Sequence, residues 1–390
     1  MSKVFLHIDG DAFFVGCEVS LNPRLRGLPV VTGGERSIIT ALSYEAKALG
    51  LTRTLPVFRV KKDFPQVIVL DSQYHAYQIF SHRMFAIVRR FANEVEEYSI
   101  DECFADLSHH TDPITIARVI QDTVQKELGF TVSVGLGPTK VLAKTASKQK
   151  KPNGLTSFLV EYNIDDMSIG KIWGVGRATS ASFVGYGITT VGHFLAKDFS
   201  WVSQYLAKPY QALWYELQGK SVLPLHTTHE DSQSIAHTRS FYTPSRSDAV
   251  VWAELLKNIE GVCLKAREQG MDAREASVFI KTQGFEYISA QISFSEPLSD
   301  PISIARLVRA VFSKLFKKGI LYRATGITLR SLVPRNSVHS LFSKPLYSTL
   351  FDIVDRLSYK HGEGILRLSA SKVREVEKRP MAILSLGNVS

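Results

Sequence analysis

Cysteine is scarce. The chain has three in 390 residues, Cys17, Cys103 and Cys263, far apart and with no CxxC pair. That argues against a disulfide framework and against a thiolate zinc site, and it fits a reducing compartment. Long apolar runs are also missing. No stretch approaches the ~18 residues that span a bilayer. The opening run Met-Ser-Lys-Val-Phe-Leu-His-Ile-Asp is too short for a signal peptide. A cytoplasmic protein with no membrane partner is therefore expected. No internal repeat or low-complexity tract interrupts the chain. Acids are the minority charge, 37 against 47 Lys and Arg, a formal +10. The excess points to a polyanionic partner, nucleic acid first, although a basic enzyme with a solvated surface would have the same count.

At ~100–200 residues per domain the length allows two to four domains. Residues 4–8 read as a compact apolar strand that ends at Asp9-Gly10-Asp11-Ala12-Phe13-Phe14. A rigid strand with an open end suits a metal ligand, and Asp9 is the candidate. Gly10 lets the backbone come close to a ligand. Asp11 is placed to cap a helix starting at Phe13. A second acidic point is Tyr98-Ser99-Ile100-Asp101-Glu102, followed by Cys103-Phe104-Ala105. Adjacent carboxylates in an apolar strand resist desolvation and repel each other, so a cation would keep them there at low cost. The alternative is a turn with one exposed acid. Asp9, Asp101 and Glu102 converging from two strands would suit two Mg²⁺ ions, since hard oxygens match a hard cation. Two ions ~3.5–4 Å apart can activate a hydroxyl and stabilise a leaving oxygen in phosphoryl transfer.

Basic and polar residues fall around these acids. Tyr44 and Lys47 share a face of the short helix 43–50, as a phosphate clamp or as a surface pair. Lys140, Lys144, Lys148 and Lys151 follow helical spacing with no acid between them, and read either as a phosphate-facing ridge or as a solvated face. The order strand, helix, strand, helix, strand over the first 136 residues predicts an α+β or α/β layer with helices on one face. Trp173-Gly174-Val175-Gly176 opens a helix within a small helical region. Free backbone N–H groups there can hold a phosphate, as in helix-hairpin-helix modules. The last third reads β-α-β-β-α-β, a ferredoxin-like order, with Arg239, Lys281 and Arg330 on its sheet.

Five motifs together carry a resemblance. Asp9-Gly-Asp-Ala-Phe-Phe14, Ser43-Tyr-Glu-Ala-Lys47, Tyr98-Ser-Ile-Asp-Glu102, Lys151-Pro-Asn-Gly154 and Trp173-Gly-Val-Gly176 stand in the order and spacing of the Y-family translesion DNA polymerases, of the bacterial polymerase IV and polymerase V type. The resemblance covers nearly the whole chain. It implies a multidomain α+β right-hand polymerase: palm (1–12 and 75–163), small fingers (13–74), helix-hairpin-helix thumb (164–227), linker (228–232), ferredoxin-like little finger (233–334) and a tail (335–390).

The resemblance also implies roles. Asp9, Asp101 and Glu102 match the catalytic metal-binding acids, with the Gly10 carbonyl as a further ligand for two Mg²⁺ ions. Phe14 matches the steric gate that excludes a ribose 2′-OH. Phe13, Phe14, Tyr44, Lys47 and Lys151 match nucleotide contacts. Lys47 stands where the family usually has Arg and cannot make the planar bidentate grip. Lys140, Lys144, Gly174, Gly176, Arg239, Lys281 and Arg330 fall to DNA binding. Ile38, Thr40 and Thr54 match the roof over the new base pair; the set is not especially small, which implies selective lesion bypass. Val338-His339-Ser340-Leu341-Phe342 is similar to a sliding-clamp peptide without its leading glutamine, with Leu341 and Phe342 as the contacts. The implied protein is a monomer acting on primer-template DNA and dNTPs in the bacterial nucleoid. A catalytically silent DNA-binding scaffold and a palm-type nucleotide cyclase are the alternatives. The intact acids argue against the first. The hairpin and the basic C-terminal part argue against the second.

Overall fold

The computed structural model describes residues 3–34, 38–227, 232–335, 348–361 and 368. The chain divides into two compact units, 1–229 and 230–390. Leu341 and Phe342 lie outside the described residues.

In the first unit, β1 (Phe5–Gly10) leads to α1 (Phe13–Leu21). Next come β2 (Val30–Thr32), β3 (Ala41–Leu42), α2 (Tyr44–Ala48), α3 (Val57–Asp63) and β4 (Ile68–Leu70). Then follow α4 (Tyr74–Val88), β5 (Val95–Glu97), β6 (Glu102–Asp106), α5 (Pro113–Leu128), β7 (Val132–Gly137), α6 (Lys140–Ser147) and β8 (Leu155–Ser157). The unit ends with α7 (Arg177–Gly185), α8 (Val191–Leu195), α9 (Phe199–Tyr205) and α10 (Lys208–Leu217). Local chemistry sets several starts. The Ser43, Asp112 and Thr139 side chains accept from the third residue on, at Ala46, Thr115 and Leu142, which caps α2, α5 and α6.

A five-stranded sheet, β5-β6-β1-β7-β8, is the frame. The central β1 runs antiparallel to both β6 and β7. Strand alternation sends Leu6, Ile8, Cys103 and Ala105 into a core shared with α4 and α5. The opposite face of β1 and β7 is covered by α6, so helices lie on both faces rather than on one. Glycine makes that second contact possible. A Cβ at Gly135 would sit 2.1 Å from the Ala143 carbonyl oxygen, and one at Gly137 2.7 Å from the Ala143 nitrogen. Every residue of α6 is buried, because its far side joins the core of α7–α10 through Val141, Leu142 and Ala146. A three-stranded sheet, β3-β2-β4, carries its own small cores around Val31, Ile39 and Val60 and around Val15, Leu25 and Val30.

The second unit runs β9 (Ser234–Ser245), α11 (Asp248–Glu268), β10 (Met271–Thr282), β11 (Tyr287–Leu298), α12 (Pro301–Leu315), β12 (Tyr322–Pro334) and α13 (Ser348–His361). The sheet order is β11-β10-β12-β9, so each βαβ crossover is split by a strand of the other. One face packs on α11 and α12 through Val278, Ile280, Ile327 and Leu329. Register sorts the three basic residues expected on this sheet between its two faces. Lys281 opposes Ala324, and Arg330 opposes Glu275, on the face away from the helices. Arg239 opposes Thr325, which Asn258 of α11 bonds, so Arg239 belongs to the helix side. The period of two puts it there.

No helix of the described residues is long and apolar enough to cross a membrane.

Candidate active site

The same alternation that builds the core aims the acids. Phe5, His7 and Asp9 leave β1 on the α6 face, and Glu102 and Phe104 leave β6 beside them. Asp9 and Glu102 are direct cross-strand partners. Like charges facing each other across a pair are destabilising. Two lysines offset this: Lys144 Nζ bonds Glu102 Oε2 at 2.7 Å, and Lys151 bonds Asp9 Oδ1 while standing 3.8 Å from Asp11 Oδ1. Burial pushes the Glu102 carboxyl above its usual value; Lys144 opposes that rise and Asp9 adds to it.

Asp101 is not in the strand. Residues 98–101 turn between β5 and β6, with the Tyr98 N–H returning to the Glu102 carbonyl at 3.0 Å. The acid pair therefore straddles a strand start. The Asp101 carbonyl accepts from Gly10 N–H at 2.9 Å, which ties the two acidic segments together, while its carboxylate accepts from Ser99 Oγ at 2.7 Å. As the side chains stand, no three of His, Cys, Asp and Glu among the described residues form a group able to hold a metal ion. The donor set nevertheless fits hard cations. Two carboxylates meet at a strand end, a third is joined to them by backbone, and each of the two facing acids is paired with a lysine.

Asp11 does not cap α1; Ala12 is the cap residue and no side chain caps it. Asp11 is buried and accepts from Ser133 Oγ (2.7 Å), Thr131 Oγ1 (3.0 Å) and Asn153 N–H (2.8 Å). It thereby pins the Lys151–Gly154 turn to β7 and holds Lys151 over Asp9. Gly154 is needed in that turn, since a Cβ would fall 1.8 Å from the Lys150 carbonyl oxygen. Tyr44 lies close by, where burial, with the nearby Asp11 and Asp9 charges, raises its phenol. Lys47 reaches over the Tyr44 ring at 5.9 Å. Tyr44, Lys47 and Lys151 thus belong to one neighbourhood.

Phe14 lies against the core with its ring stacked on Tyr77 at 4.4 Å and edge-on to Tyr74 at 6.0 Å. The Tyr77 hydroxyl donates to Glu18 at 2.6 Å, which fixes the platform. Phe13 corrects the nucleotide set. Its side chain is 3% exposed and edge-on to Phe130 at 5.4 Å, so its ring belongs to the core.

The lysine ridge is also corrected. Only Lys140 and Lys144 fall within α6, both are buried, and both point at acids instead of solvent. Lys140 pairs with Glu96, whose carboxylate also accepts from the His226 N–H, and it donates to the Pro224 carbonyl. Lys148 ends the helix, and burial plus Lys144 holds its ammonium below the usual lysine value. A buried ammonium needs a partner, and Glu96 and Glu102 are those partners. Gly174 has φ +87°, in the left-handed region, and Gly176 caps α7. The turn sits beside an open hollow of about 480 Å³ lined by Gly176, Arg177 and Ser180.

Sequence reasoning missed the aromatic box. Trp173 Nε1 donates to the Tyr98 hydroxyl at 2.9 Å, and Lys144 lies 4.3 Å over the Tyr98 ring, so the hairpin and the acid turn share a contact. It also missed His7, which is buried beneath the site with Nδ1 2.8 Å from Ser147 Oγ. Burial, reinforced by Lys144, Lys151 and Lys148, keeps its imidazole well below the usual pKa. The period-two face Phe5-His7-Asp9 was the available signal.

The chain is similar to known proteins along most of its length. The model of the impB/mucB/samB family matches residues 8–148, and that of its C-terminal domain matches residues 232–341. DNA polymerase IV 1 of Bacillus subtilis (strain 168) is 27% identical over 395 residues, covering 97% of this chain and 95% of that protein. DNA polymerase IV of Streptococcus pneumoniae serotype 2 is 29% identical over 347 residues, covering 84% of this chain and 97% of that protein. A Y-family polymerase chimera of Dbh and Dpo4 superposes with a TM-score of 0.73 at 21% identity, over 85% of this chain and all of that one. DinB from Sulfolobus solfataricus gives 0.53 at 22% identity, over 85% and 100%. The two family models together span more than half of the sequence, and the chain belongs to the impB/mucB/samB family of Y-family translesion DNA polymerases.

Proposed function

We propose that the chain is a low-fidelity, template-directed DNA polymerase that adds dNTPs to a primer 3′ end by two-metal nucleotidyl transfer during translesion synthesis. The observation that carries this reading is Asp9 facing Glu102 across two strands, each paired with a lysine. The solved Dbh relative described as an insertion ternary complex agrees with primer-template DNA as the substrate.

Asp9, Asp101 and Glu102, with the Gly10 carbonyl, would hold two Mg²⁺ ions. When bound, the ions lower the pKa of the primer hydroxyl and stabilise the leaving oxygen. The chain's own residues do the rest. Lys151 exchanges Asp9 for the triphosphate, beside Tyr44 and Lys47. Phe14, backed by Tyr77, lies under the sugar. Ile38, Thr40 and Thr54 roof the base pair and limit bypass to selected lesions. The Gly174–Gly176 turn grips the DNA backbone through N–H groups. Lys281 and Arg330 serve the DNA from the open sheet face of the second unit. Leu341 and Phe342 would dock on a sliding clamp, and the protein would act as a monomer in the cytoplasm.

Primer extension with Mg²⁺ tests the reading. Wild type should extend, and Asp101→Ala with Glu102→Ala should abolish extension while DNA binding stays near normal. A wild type that never extends any primer would reject it. Clamp stimulation that survives Leu341→Ala with Phe342→Ala would remove the clamp claim alone.

A further inference from the structure

The open sheet face of the second unit carries more than cations. Phe279 lies flat across β12 because position 326 is glycine; a Cβ there would meet the Phe279 ring at 2.4 Å. Tyr287 stands beside it, with ring centroids 5.2 Å apart, and accepts from Lys281 Nζ at 2.8 Å. At the end of the β10–β11 hairpin a third ring, Phe285, sits under Arg323 at 4.3 Å, and Lys281 lies 4.9 Å from it. Phe285 and Tyr287 are 60% and 62% exposed. The acids on this face lie farther back along β10: Glu275, six residues before Lys281, opposes Arg330, and Asp272 opposes Val333.

The turn itself argues for use. Thr282 N–H returns to the Glu286 carbonyl at 2.9 Å, and Phe285 holds φ +70°. Glycine is the default residue for that conformation. An aromatic there costs strain, and with the ring in solvent no burial offsets it. Strain of this kind gathers at ligand-contacting positions.

We propose that Phe285, Tyr287 and Phe279, flanked by Lys281 and Arg323, form a stacking platform for unpaired bases of the template strand. Duplex backbone is held by cations and hydrogen-bond donors and needs no stacked rings. Unpaired bases expose their faces, and aromatic side chains beside cations on an open four-stranded sheet are the surface that binds them. The proposal rests on the reading of template DNA as substrate.

The test is anisotropy titration of the full chain with a primer-template bearing a long single-stranded template overhang and with a blunt duplex of the same paired sequence. Phe285→Gly removes the ring and relieves the backbone, so misfolding cannot explain a loss; Tyr287→Ser is added to it. The double variant should bind the overhang DNA about fivefold or more weaker, with blunt-duplex affinity and salt dependence unchanged and thermal stability not lowered. Equal weakening on both DNAs, or no weakening on either, would overturn the platform. Primer extension by the same wild-type stock separates the two readings: absent extension rejects the polymerase, whereas normal extension with an unaltered overhang preference in the variant rejects only the platform.

Discussion

Lys144→Met would convert the best-buried counter-ion of the acidic site into an apolar side chain of similar reach. The Lys144 side chain is 6% exposed and its partner Glu102 17%. Breaking a fully buried pair by removing one member costs about 3–5 kcal/mol, because the other charge is left unpaired. Here Glu102 keeps some solvent, and Lys151 still neutralises Asp9, so a loss of about 2 kcal/mol is expected. For a unit of this size that lowers the melting temperature by about 4–8 °C. Mg²⁺ should restore most of the loss in the variant and stabilise wild type less, since in wild type the cation must displace a lysine. Lys144→Met with Glu102→Gln should recover more than half of the single-variant loss. The sign with pH is fixed as well. The Glu102 carboxyl sits above its ordinary value in the folded chain, so the folded state binds the proton more readily and stability falls as pH rises through that window. The deficit of Lys144→Met should therefore shrink as pH is lowered and Glu102 takes up its proton. Denaturant titration with and without Mg²⁺ measures all of this. A loss under about 0.5 kcal/mol, or strict additivity in the double variant, would refute the counter-ion argument.

Three further outcomes follow from named contacts. Gly135→Ala should cost about 3 kcal/mol or more, since its methyl must displace the Ala143 carbonyl and the Ser147 nitrogen, 2.1 and 2.3 Å away; a melting temperature within a degree of wild type would contradict the close packing of α6. In an NMR titration of the 11 histidines, His7 should stay neutral where exposed rings protonate, and stability should decline as pH drops below about 6.5, because the unfolded chain then binds a proton that the buried ring refuses. Phe14→Ala should leave the fold intact and raise ribonucleotide incorporation by at least tenfold in primer extension; unchanged sugar discrimination would move the gate elsewhere.

Local patterns were legible because they follow from short-range rules. The sequence alone determined which strands end in acids, that Ser43 starts a helix, that Gly174 and Gly176 open another, and that the last third runs β-α-β-β-α-β. It also supplied a set of motifs specific enough to indicate the family. Periodicity could not say which side of an element meets what. Lys140 and Lys144 have the spacing of an exposed ridge, yet α6 is covered on both sides, and only the fold shows the acids that receive them. Arg239 lies two strands from Lys281, and register decided that they face opposite ways. Asp11 looked like a helix cap because a cap needs only neighbours in sequence; its partners Ser133 and Asn153 are more than a hundred residues away. Asp101-Glu102 read as one strand pair, whereas a turn separates their roles. Spacing reports what one element can present, and burial and pairing between distant elements decide what each side chain is for.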